Sequence, residues 1–172
     1  EAETFFGIRQ VTCSPRGLFV NGKETLLRGG CVHHDNGIVG SASYAESEWR
    51  RVKMLKDAGY NAIRSAHNPA SAAMLEACDT LGMYVMDETF DMWIIHKNPY
   101  DYGDEAFRQW WKQDVSAMVS KDYNHPSVVM YSIGNEISEL GLAEGQEICR
   151  QMQEAYAMPQ EQGAMAKFSA NV

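Results

Sequence analysis

The chain opens on an alternating pattern. Between residues 4 and 20, Phe6, Ile8 and Val11 stand among polar neighbours before the apolar run Leu18-Phe19-Val20. Asn21-Gly22 follows, and then Lys23 to Leu27. Asn-Gly between two such runs predicts a hairpin, because a type I′ turn needs two residues that tolerate positive φ. This opening is β.

Beyond Leu26 the pattern changes to strand, helix, strand, helix. Leu26-Leu27-Arg28-Gly29-Gly30-Cys31-Val32 predicts a short strand that ends in His33-His34-Asp35. Residues 43–58 carry Trp49, Val52, Leu55 and Ala58 at helical spacing, and Gly59 marks the stop. A second strand, Tyr60 to Arg64, closes on His67-Asn68-Pro69. Ser71 caps a helix through Met74, Leu75, Cys78 and Leu81, which Gly82 ends. Met83-Tyr84-Val85-Met86 is a third strand running into Asp87-Glu88. A long loop holding Trp93 and Tyr100-Asp101-Tyr102 leads to a helix over 105–123. Pro126 breaks the pattern, and 127–133 read as a fourth strand ending at Gly134-Asn135-Glu136. A fourth helix covers 143–156, and Lys167-Phe168-Ser169 begins a fifth strand.

Four βα units in a row predict an α/β fold with a parallel sheet and right-handed crossovers. The sheet closes as a doubly wound open sheet or as a barrel, and the polar positions decide between them. Every strand carries its charged or hydrogen-bonding residues at its carboxyl end, where a barrel gathers them at one mouth. A doubly wound fold would instead place a Gly-rich phosphate loop at one switch point, and no such loop is present. The expected fold is a (β/α)8 TIM barrel. About 145 residues follow Leu27, against the ~200–250 that a complete barrel needs. A partial barrel is therefore expected, about four βα units with two unpaired sheet edges. Residues 1–13 are expected to end a preceding Ig-like β-sandwich domain, and 14–172 to form the first part of the barrel.

Composition narrows the partners. Among 172 residues, 23 Asp and Glu against 15 Lys and Arg give a formal charge of −8. That balance argues against a nucleic-acid backbone or an anionic membrane as a partner. No apolar run reaches the ~18 residues of a membrane span. Cys13, Cys31, Cys78 and Cys149 are widely spaced, so zinc-ribbon and thioredoxin readings fail. Adjacent histidines at 33 and 34 do not make a metal motif, and neither metal nor cofactor is expected. The first residues, Glu1 to Phe6, lack an initiator Met and a signal-peptide pattern. The chain reads as cut from something longer, which leaves localisation, cytoplasmic or periplasmic, open.

Several motifs together resemble glycoside hydrolase family 2: Phe6-Gly7-Ile8-Arg9, Leu27-Arg28-Gly29, His33-His34-Asp35, Ile63 to Pro69, Asp87-Glu88, and Asn124-His125-Pro126 followed by Gly134-Asn135-Glu136. Asp87 to Trp93, Tyr100-Asp101-Tyr102 and Trp110-Trp111 look most like the β-galactosidase-type members. The resemblance implies a retaining β-glycosidase whose barrel follows β-sandwich domains, whose partner is a carbohydrate, and whose parent is a homo-oligomer.

It also implies roles. Glu136 would be the general acid/base, its carboxyl desolvated at the strand end, and Asn135 would bind the sugar 2-hydroxyl. Taken alone, Gly134-Asn135-Glu136 also suits a plain helix N-terminus; with the other polar strand ends beside it, the catalytic reading is preferred. Arg64 would hold the nucleophile ionised or pair with Asp87 or Glu88. His67 and Asn68 would line the sugar pocket, and Asp35 would contact sugar hydroxyls. Asp87 and Glu88 would support the site or form a salt-bridged strand end. Trp93 would stack on a sugar face or fill the interior, while Trp49, Trp110 and Trp111 are expected to pack against the sheet.

The family's nucleophile is a second Glu on a later strand, expected beyond residue 172. Glu88 is a weak rival for that role. By itself the chain is expected to be inactive, carrying one carboxylate of the catalytic pair. The alternative is a non-catalytic carbohydrate-binding or self-assembling half-barrel. Residues 159–163 depart from the family pattern.

Overall fold

A computed structural model describes residue 3, residues 6–157 and residues 167–169. The divergent stretch 159–163 lies outside the described residues.

Three short strands come first: β1 (Val11–Ser14), β2 (Gly17–Val20) and β3 (Lys23–Glu24), paired antiparallel in that order. Asn21 and Gly22 have φ of 51° and 74°, the two positive values a type I′ turn requires. The stretch 4–20, expected to be β, contains a chain reversal. Ser14-Pro15-Arg16-Gly17 turns the chain back so that Val11 pairs with Val20 and Cys13 with Leu18. Those four residues carry type I turn chemistry, with Ser first, Pro second and Gly fourth. The boundary expected after residue 13 falls inside β1.

The second sheet is parallel, in the order β4 (Gly29–His33), β5 (Ala62–Ala66), β6 (Tyr84–Glu88), β7 (Val128–Ser132) and β8 (Lys167–Ser169). Helices α1 (Ala45–Asp57), α2 (Ala72–Leu81), α3 (Asp104–Asp122) and α4 (Ala143–Ala157) connect or follow the strands. Sequential order and parallel direction are those of a partial barrel, in which each helix returns the chain beside the strand it left.

Local chemistry sets the element ends. The Ser71 hydroxyl accepts the Met74 N–H at 3.1 Å, and Gly82 closes α2 in the left-handed region. On α3, Phe107, Trp111, Val115, Met118 and Val119 are buried, a stripe of one helical face. That stripe joins Val85, Val128, Ile133 and Trp93 in one core. Trp49 and Trp110, expected in that packing, are instead 44% and 43% exposed. Each sits one position off its helix's buried side, beside buried Glu48 and Trp111 respectively. No helix among the described residues is long and apolar enough to cross a membrane.

Candidate active site

The site grows from a two-residue alternation at the end of β6. Successive strand side chains point to opposite faces, and both acidic residues there are wholly buried. Asp87 turns toward the helices: its Oδ1 accepts the Ala70 N–H at 2.8 Å, and its Oδ2 lies 3.2 Å from Lys121 Nζ. Glu88 turns the other way. Its Oε2 accepts from Arg64 Nε and Nη2 at 2.9 and 2.6 Å and from the Ser132 hydroxyl at 2.5 Å. Its Oε1 lies 2.7 Å from His67 Nδ1. Both carboxylates, expected to support the site or to form a salt-bridged strand end, are ion-paired: Asp87 with Lys121 on the helix side and Glu88 with Arg64 on the opposite face of the sheet.

Arg64 carries the network onward. Its Nη2 also donates to Asn135 Oδ1 at 3.0 Å, while Nη1 meets only the Cys31 sulfur among the described residues, at 3.7 Å. Burial alone would lower the guanidinium pKa, but the Glu88 hydrogen bond and charge outweigh it and raise it. Asn135 Nδ2 donates to Asp91 Oδ1 at 3.0 Å, and its backbone N–H to the Phe90 carbonyl at 3.1 Å. Lys97 Nζ donates to the Asn135 carbonyl at 2.6 Å, to the Asp91 carbonyl at 2.6 Å and to Asp91 Oδ1 at 2.9 Å. Burial pushes the Asp91 carboxyl up, yet the bonds from Lys97 and Asn135 prevail and hold it below its ordinary value.

Glu136 follows this fixed residue with φ of +47°, a left-handed conformation that is uncommon without glycine. Its side chain is exposed and has no hydrogen-bond or ion-pair partner among the described residues. The desolvated carboxyl expected from the sequence is therefore not found. Glu136 lies beyond the end of β7 at Ser132, in a turn whose next residue, Ile137, folds inward. Gly134 is required in this turn, because a Cβ there would stand 2.7 Å from two Ile137 side-chain carbons.

The other expected residues divide. His67 is half-buried, its ring edge-on to His33 at 5.1 Å, and the Ala66–His67 peptide is cis. Asn68 is exposed, with its carbonyl accepting the Ser65 hydroxyl at 2.7 Å. It borders an open cavity of about 580 Å³, lined also by Thr89, Asp91, Tyr100 and Tyr102, which lies beside the Glu88 network rather than over it. Asp35 stays apart: exposed after β4, its Oδ1 takes the Gly37 N–H at 2.9 Å. Trp93 presents no face to a sugar, since it is fully buried against Phe107.

Four residues escaped the sequence reading. Ser132 is the last residue of β7, where its polar side chain at the carboxyl end of a strand was a usable signal. Asp91 and Lys97 lie in a loop without periodicity. Glu139, 3% exposed, accepts the Ile94 and Ile95 N–H groups at 2.6 and 2.5 Å. No three His, Cys, Asp or Glu side chains among the described residues come together as a metal site. What the arrangement offers is one exposed carboxyl beside a side-chain amide fixed by one guanidinium and one carboxylate.

The sequence model of the "Glycosyl hydrolases family 2, TIM barrel domain" matches residues 11–160. The chain belongs to glycosyl hydrolase family 2. Within the family it is 42% identical over 134 residues to Beta-galactosidase BoGH2A of Bacteroides ovatus, covering 77% of this chain and 16% of that protein. It is 32% identical over 142 residues to a Beta-glucuronidase of Bacteroides fragilis, covering 78% of this chain and 20% of that protein. A solved family 2 member from Bacteroides cellulosilyticus superposes with a TM-score of 0.89 at 44% identity, covering 97% of this chain and 21% of the other. The chain thus spans about a fifth or less of these relatives' lengths.

Proposed function

We propose that this chain supplies the acid/base side of the active site of a retaining β-glycosidase acting on β-galactosides. The observation that carries the reading is the Asn135–Glu136 turn, where an exposed carboxyl follows an asparagine whose side-chain amide is held by Arg64 and Asp91 and whose backbone carbonyl is held by Lys97. Retaining hydrolysis needs a protonated carboxyl to give its proton to the leaving oxygen and a carboxylate ~5–5.5 Å away to attack the anomeric carbon. Glu136 takes the first role, and after departure of the aglycone it removes a proton from the incoming water. The fixed Asn135 amide suits the sugar 2-hydroxyl, a contact that strengthens as positive charge develops on the ring.

Glu88 is a poor nucleophile. Both its oxygens are engaged and the residue is fully buried. The attacking carboxylate therefore comes from outside this chain, and Arg64 Nη1 is the arm of the guanidinium left to steady it. On this reading the isolated chain hydrolyses nothing.

The test is the Glu136→Ala form of the enzyme that contains this chain, assayed on aryl β-galactosides and aryl β-glucuronides. Turnover of the galactoside is expected to fall about 10²–10⁴-fold. Azide should restore part of it on an activated substrate and yield a β-glycosyl azide. Undiminished activity, or an inverted product, overturns the assignment. Activity confined to the glucuronide overturns the choice of sugar.

A further inference from the structure

The loop between β6 and α3 contains a lysine that the acid/base assignment does not use. An ammonium group has three donors. The three N–H groups of Lys97 meet three acceptors: the Asp91 carbonyl, Asp91 Oδ1 and the Asn135 carbonyl, at 2.6, 2.9 and 2.6 Å. The last is the informative one. The Asn135 carbonyl belongs to the peptide unit that enters Glu136, whose φ of +47° few L residues adopt. The other bonds to Asn135 hold its side chain or its own N–H. Lys97 alone among these partners grips the peptide on which Glu136 turns.

Lys97 is itself held at both ends of its loop. Asp101 Oδ2 accepts the backbone N–H groups of Lys97 and Asn98 at 2.7 and 2.6 Å. On the other side Glu139 accepts those of Ile94 and Ile95 at 2.6 and 2.5 Å. Glu139 lies three residues after Glu136, so the segment that follows the acid/base also anchors the loop that returns to hold it. This closed circuit gives the Lys97–Asp101 spacing a purpose.

We propose that Lys97 is a positioning residue for Glu136, holding the Asn135–Glu136 peptide so that the carboxyl stands where the leaving oxygen needs its proton. The inference rests on the reading of Glu136 as acid/base. It separates from a merely structural role through the leaving group. A dinitrophenolate departs without a proton, whereas a phenolate or alkoxide needs one. Misplacing the acid therefore slows only the second class.

The experiment compares Lys97→Met with the parent enzyme on a 2,4-dinitrophenyl and an unsubstituted phenyl β-glycoside, reading kcat/KM. The phenyl substrate is expected to lose about 10–100-fold and the dinitrophenyl substrate less than about threefold. Adding Glu136→Ala to Lys97→Met should then cost the phenyl substrate much less than it costs the parent. Equal losses on both substrates, or none, overturn the proposal. If Lys97→Met does not fold, Lys97→Gln is read by the same two-substrate ratio. Should Glu136→Ala in the parent show neither leaving-group dependence nor azide rescue, the acid/base reading itself fails. Normal Glu136→Ala behaviour with a uniform Lys97→Met loss removes only the role of Lys97.

Discussion

The indole N–H of Trp93 donates to the Ile133 carbonyl at 2.9 Å, tying the loop after β6 to the residue that precedes the Gly134–Glu136 turn. The ring is fully buried and stacks on Phe107, which in turn stacks on Trp111. Trp93 thus acts on the turn from behind, through packing and a single hydrogen bond.

Trp93→Phe retains an aromatic ring and leaves the Ile133 carbonyl without its donor. A buried acceptor orphaned in this way costs about 1–3 kcal/mol. The thermal midpoint of the enzyme is expected to fall while KM for aryl glycosides stays within about twofold, as no substrate contact is lost. A large rise in KM at an unchanged midpoint would return Trp93 to the sugar site.

Arg64→Leu strands the Glu88 carboxylate, which is wholly buried, without its guanidinium. Losing one partner of a buried pair costs about 3–5 kcal/mol, whereas replacing both by apolar groups costs far less. Arg64→Leu with Glu88→Leu is therefore expected to unfold at a higher temperature than Arg64→Leu alone. Both variants should be inactive, because Asn135 loses one of its anchors. If the double variant is no more stable than the single one, the pair is not coupled as its geometry implies.

Asp122 sets a pH dependence. It is wholly buried, bonded through Oδ1 to Lys121, and no donor reaches its Oδ2 among the described residues. Burial, and then the nearby Asp87 charge, raise its carboxyl well above the ordinary carboxylate range. The folded chain therefore keeps a proton that the unfolded chain has already released. Stability from this group falls as pH rises from the ordinary range toward the raised value. Asp122→Asn is expected to flatten that slope and to raise the thermal midpoint at neutral pH. Parallel curves for the two proteins across that range would contradict it.

Element order was legible because caps and turns are local. Ser71, Gly82 and Asn21-Gly22 each fix backbone geometry through their own chemistry. The candidate site was legible only as a set of strand ends. Asp87-Glu88 reads as one acidic pair, yet the strand's two-residue period sends one side chain to Lys121 and the other to Arg64. Strand alternation could have separated them. Trp93 could not have been placed, because its burial depends on α3, whose Phe107 covers it. The bonds from Lys97 to Asn135 and from Ile94 and Ile95 to Glu139 join residues dozens of positions apart, where no periodicity announces a contact. Glu136 is exposed in a left-handed conformation that the run Gly134-Asn135-Glu136 does not disclose.

The four contacts of Glu88 also bear on how the sheet comes apart. They fasten Arg64 on β5, His67 just beyond it and Ser132 on β7 to the strand between them. Pulling either neighbour away would leave a buried charge short of its partners, so fraying that begins at an outer strand meets a barrier at this cluster. The three inner strands are therefore expected to unfold as one cooperative unit, with Glu88 as the latch between them.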